Sequence, residues 1–130
     1  MSLPLANRLV LVVEDEPIIA LDVVRSLEAA GARALHSRTL ADALCKVETP
    51  GLSAAVIDHA LHNEDSSQIC NRLDQRNIPF VVYSGYHHVK GPCSEGKHVP
   101  KPVPPVVLVQ AIADALRKCR NGAASEPGHC

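Results

Sequence analysis

At 130 residues, with 13 Lys and Arg against 14 Asp and Glu and a formal net charge of −1, the chain has no basic field of the kind nucleic-acid binding uses. Its 46% hydrophobic and 21% charged content fits one globular domain, long enough for a single sizeable core. No run nears the ~18 apolar residues of a membrane span, and the acidic cluster at Glu14 comes too early for a signal peptide, so a cytoplasmic protein without membrane or nucleic-acid partners is expected. The cysteines (Cys45, Cys70, Cys93, Cys119, Cys130) are odd in number and scattered, which suits free thiols in a reducing compartment better than a disulfide framework.

Arg8–Val13 is a continuous apolar run, the pattern of a strand buried on both faces of a parallel sheet. Pro17 suits the first position of a helix, where its missing N–H costs nothing. Ile18, Leu21, Val24 and Leu27, with Ile19 and Val23 beside them, keep helical spacing up to a stop at Gly31. A short strand over Arg33–His36 follows. Thr39, with Asp42 three residues on, has the form of a capping box and opens a helix through Val47 that "ETPG" ends.

Ser53–Asp58 ("SAAVID") reads as a strand that finishes on a carboxylate, and Ser66–Arg76 as a helix with Ile69, Cys70 and Leu73 inward. Ile78–Ser84 ("IPFVVYS") is a third buried strand and Lys97–Pro100 a short last one. Pro104 and Pro105 start a final helix with Val107, Leu108, Ala111, Ile112, Ala115 and Leu116 inward. Residues 1–120 form one domain by this reading, and residues 121–130 have little to bury and read as a flexible tail.

Alternating strands and helices imply a parallel sheet wound with helices on both faces. Such sheets place ligands beyond the carboxyl ends of their strands. Glu14, Asp15, Asp58 and Ser84 all lie at such ends and Lys101 follows the last strand, so they are expected to converge on one edge. Two or three carboxylates there suit Mg²⁺, a hard cation that takes oxygen ligands. A carboxylate beside that cation can act as a nucleophile toward phosphorus and form an aspartyl phosphate. Lys101 and the Ser84 hydroxyl would supply the charge and the donor that a transferred phosphoryl group needs.

"VVEDEP", "VID" with Asp58, "VVYS" with Ser84 and "VPKP" with Lys101 together resemble the signature of response-regulator receiver domains, from Arg8 to about Lys118. The segment His59–Tyr86, with "NEDS", "RNIPF" and "SGY", is similar to single-domain regulators whose fourth strand reads roughly PFxFATGY. The resemblance implies a flavodoxin-like, doubly wound five-stranded parallel sheet in the order 2-1-3-4-5. It implies Asp58 as phosphoacceptor, Asp15 as a direct Mg²⁺ ligand, Glu14 as a ligand through water and Ala60 as a backbone-carbonyl ligand. Ser84 would hydrogen-bond the phosphoryl group and Lys101 would pair with it. The implied partners are a sensor histidine kinase or a histidine phosphotransfer protein, and a downstream protein contacted as a monomer or weak homodimer, or none if the chain is a phosphate sink. No separate substrate is implied, only self-phosphorylation and self-dephosphorylation.

The chain departs from that pattern in three places. His98 stands where most receivers carry an aromatic switch residue, so the switch is expected to run through Ser84, Tyr86 and His98. Gly85, Gly91, Pro92 and Gly96 oppose a regular helix between the last two strands, so the fourth helix of the family is expected to be short or irregular. Asn63 stands where many relatives have glycine. His87, His88, Cys93 and His98 have no spacing typical of structural zinc. Two other readings compete: a receiver-like interaction module that works without phosphorylation, and a small hydrolase, against which the lack of a G-x-S-x-G elbow argues.

Overall fold

A computed structural model describes residues 3–58, 66–84, 97–100 and 104–122, with the side chains at 84, 97, 98, 100 and 119–122 left out of the description. The described chain runs β1 (Leu9–Val13), α1 (Pro17–Ala29), β2 (Arg33–Ser37), α2 (Leu40–Lys46), β3 (Leu52–Asp58), α3 (Ser67–Gln75), β4 (Phe80–Ser84), β5 (Lys97–Pro100) and α4 (Pro105–Gly122). The five strands form one parallel sheet in the order β2-β1-β3-β4-β5. Strand order reverses between β1 and β3, so a crevice opens there at the carboxyl ends.

Residue alternation along the strands divides the core in two. Val10 and Val12 of β1, Ala54 and Val56 of β3, Val81 and Tyr83 of β4 and Val99 of β5 pack under α1 and α4, against Val23, Leu27, Leu108 and Ile112. Leu11, Val13, Ala55, Ile57, Phe80 and Val82 face the opposite way, against Ala43 and Val47 of the α2 region and Ile69, Cys70 and Leu73 of α3. A sheet covered on both faces explains why β1 and β3 read as unbroken apolar runs rather than as alternating ones.

Local signals set the element ends. Pro17 opens α1, and Thr39 caps α2 by accepting the Asp42 backbone N–H at 3.1 Å on its side-chain oxygen. Gly31 follows α1 at φ 98°, beneath the N-terminal segment, where a Cβ would lie 2.9 Å from Ala6 Cα. Asn77 at φ 58° turns the chain after α3, a conformation that asparagine tolerates better than most side chains.

Several sequence expectations need correcting. In α1 the structure buries Ala20, Val23 and Leu27, while Ile18 is 75% exposed and Leu21 47%. The first two turns of this helix are apolar on most sides, so spacing alone offers several stripes, and packing against the sheet selects one. In α4, Val107 is likewise exposed, and Leu108, Val109, Ala111 and Ile112 are buried. Cys45 is a free, exposed thiol, in keeping with the reading of the scattered cysteines. Cys70 is buried as expected but disulfide-bonded; a tertiary pairing of this kind leaves no mark in cysteine spacing. Helix α4 also continues through Asn121 and Gly122, two residues into the segment read as tail. The expected irregular helix between β4 and β5 lies outside the described residues. No helix among the described residues is long and apolar enough to cross a membrane.

Candidate metal centre

The site is built by continuing the strand alternation one step. Val13 of β1 pairs with Ile57 of β3, Asp58 pairs with Tyr83 of β4, and Tyr83 pairs with Val99 of β5. Glu14 continues the Val10–Val12 face and Asp58 the Ala54–Val56 face. Glu14, Asp58 and Tyr83 therefore fall in one row across three neighbouring strands, at the carboxyl end of the sheet.

Glu14 is fully buried, and all four of its polar atoms are engaged. Its N–H donates to the Ser37 carbonyl at 3.0 Å. Its carbonyl lies 2.8 Å from His36 Nε2; a carbonyl only accepts, so His36 carries a proton on Nε2. Its Oε2 accepts the Glu16 backbone N–H at 3.0 Å, and its Oε1 accepts the Tyr83 hydroxyl. Asp58 is 3% exposed, and its backbone carbonyl accepts the hydroxyl of the buried Ser66 at 3.2 Å. Ser66 thus spends its side chain on the end of β3 rather than on capping α3.

One carboxylate oxygen each from Glu14, Asp15 and Asp58 lies within 4.8 Å of the others, with Glu14 and Asp58 buried and Asp15 partly exposed. Desolvation opposes so much negative charge in so small a volume. Burial above all, with the nearby Asp58 and Asp15 carboxyls adding to it, pushes the Glu14 carboxyl up to about 8 against the lowering by the Glu16 N–H. Three oxygen donors, no sulfur or nitrogen among them, and a mouth opened by Asp15 fit a hard divalent cation such as Mg²⁺, which keeps part of its water shell. Its charge would offset the desolvation, and the lesser repulsion from Asp58, that otherwise favour the protonated form of Glu14.

Of the residues expected at this edge, the structure brings together Glu14, Asp15 and Asp58. Ser84 ends β4 opposite Pro100, and His98 lies on β5 opposite Val82; their side chains are not described. Ala60, Lys101, Tyr86, His87, His88 and Cys93 lie outside the described residues. Three residues at the site escape a reading by motif: His36, Ser66 and Tyr83. Tyr83 alone left a signal, because its position in the row follows from the two-residue period of β4.

No family model matches the chain, and no curated protein does. Solved structures do match. A CheY-like response regulator receiver domain protein from Methanospirillum hungatei JF-1 superposes with a TM-score of 0.76 at 21% identity, over 87% of this chain and 96% of that one. A CheY-like receiver domain from Methylobacillus flagellatus gives 0.72 at 23% identity, over 85% and 99%. A putative response regulator from Chloroflexus aurantiacus J-10-fl gives 0.75 at 22% identity, over 85% and 98%. The chain has the fold of the CheY-like response-regulator receiver domains.

Proposed function

We propose that the chain is a response-regulator receiver domain that accepts a phosphoryl group on Asp58 from a histidine kinase or a histidine phosphotransfer protein, with Mg²⁺ held by Asp15, Asp58 and, through water, Glu14. The observation that carries this reading is the gathering of three carboxylate oxygens within 4.8 Å at the ends of β1 and β3, at the switch point of a receiver fold. A bound Mg²⁺ would supply charge neutralisation for the transferred phosphoryl oxygens. One Asp58 carboxylate oxygen attacks phosphorus, the bond from phosphorus to the donor breaks, and the donor leaves with the electron pair. Attack by water on the same phosphorus later returns the free carboxylate and inorganic phosphate. Burial of Asp58 keeps competing water scarce, and the Ser66 bond to its carbonyl fixes the end of β3 from which it acts. Lys101 and Ser84 are assigned the phosphoryl contacts, and Ala60 the carbonyl ligand. Output runs through protein contacts, or the chain drains phosphoryl groups from a shared kinase without any.

Intact-protein mass after incubation with acetyl phosphate and Mg²⁺ tests the reading. One phosphoryl group is expected on the wild type and none on Asp58→Asn. A wild type that gains nothing from either acetyl phosphate or a phosphorylated histidine phosphotransfer domain would favour the phosphorylation-independent interaction module instead.

A further inference from the structure

Glu14 is held from both sides of its carboxylate, and one of the two donors is a side chain from a strand two places away. Adjacent strands lie about 4.8 Å apart, so the Tyr83 phenol spans the width of β3, past the Asp58 position in the same row, to reach Glu14 Oε1. Tyr83 is 3% exposed, and its ring packs in the half-core that α1 and α4 cover. Its rotamer is therefore fixed by packing, and its hydroxyl is presented to the acidic cluster from a rigid wall. With Oε2 taken by the Glu16 N–H in the turn after β1, the carboxylate has one orientation left.

We infer that Tyr83 is a positioning residue for the cation site: its hydrogen bond to Glu14 Oε1 fixes which lone pairs of that carboxylate face Asp15 and Asp58, and so sets both affinity for Mg²⁺ and its preference over Ca²⁺. The inference rests on the metal-site reading above and deepens it. The argument for preference is geometric. Mg²⁺ demands a near-ideal octahedron at short distance, whereas Ca²⁺ accepts more ligands in looser arrangements. A Glu14 carboxylate free to rotate would harm the smaller ion more. Tyr83 also immediately precedes Ser84, so the same bond ties the end of β4 to β1 at the residue next to the assigned phosphoryl contact.

The test is amide NMR titration of the full chain with MgCl₂ and, separately, CaCl₂, for wild type and Tyr83→Phe. The variant keeps the ring and removes only the hydroxyl. Expected is a folded variant whose Mg²⁺ dissociation constant rises roughly ten- to hundredfold, the usual effect of losing a partner that orients a ligand, while that for Ca²⁺ rises less. Unchanged constants, or equal weakening of both ions as a merely structural role would give, overturn the inference and leave the site standing. A wild type that binds neither ion overturns the metal-site reading and the inference with it. Should Tyr83→Phe not fold, ¹³C-labelled tyrosine in the wild type decides. The Tyr83 ring signals are expected to move with Mg²⁺ along the saturation curve of the Asp15 amide, and ring signals that stay fixed at saturation overturn the inference.

Discussion

Burial raises the Glu14 carboxyl well above the ordinary carboxylate range. An unfolded chain ionises this group near 4.5, whereas the metal-free fold holds its proton up to about 8. Between those values the native state binds more protons than the unfolded one, so stability falls as pH rises. Each unit of that interval is worth about 1.4 kcal/mol, for a loss on the order of a few kcal/mol. Urea midpoints of the metal-free protein at pH 5 and pH 8 are expected to show this decline, and Glu14→Gln to flatten it. The Gln oxygen still accepts the Glu16 N–H, and its amide can donate to the Tyr83 oxygen, so the fold is kept while the charge is lost. Saturating Mg²⁺ is expected to flatten the decline in the wild type, because ligation favours the ionised carboxylate. The acidic cluster was plain in "VVEDEP" and "VID", since three carboxylates at two strand ends announce themselves. The Tyr83 and His36 bonds to Glu14 were not, because each depends on strand register, which no local motif records.

Among the elements, α1 tests how packing overrides pattern. Its buried line runs through Ala20, Val23 and Leu27, and its apolar Ile18 and Leu21 point outward. Leu27→Ala should therefore cost about 2–5 kcal/mol, and Ile18→Ser should stay within about 0.5 kcal/mol; chemical denaturation of both variants separates the two faces. The end of the same helix depends on Gly31. At φ 98° with Ala6 Cα 2.9 Å from a notional Cβ, Gly31→Ala is strained by backbone and neighbour alike. Its expected cost is roughly 1–3 kcal/mol, visible as a lowered thermal midpoint. Element types and order were legible throughout the described residues, because Pro17, Thr39, Gly31 and the apolar runs are local signals. The face α1 presents was not, because its apolar residues surround much of the first two turns and only the sheet beneath chooses among them.

At the scale of the whole molecule, the sheet is a partition between two half-cores, and the acidic row belongs to one of them. Glu14, Asp58 and Tyr83 continue the side that α1 and α4 cover, whereas α2 and α3 pack their apolar residues on the other. Substitutions far apart and without shared partners combine additively. The layer beneath α2 and α3 meets the site through Ser66 at the start of α3, so apolar positions deeper in that layer are where sequence can drift, or an engineer can stiffen the domain, with least consequence for the carboxylates. The layer beneath α1 and α4 has no such freedom: a methyl group gained or lost there presses on the tyrosine ring, and through it on the charge at the sheet's edge.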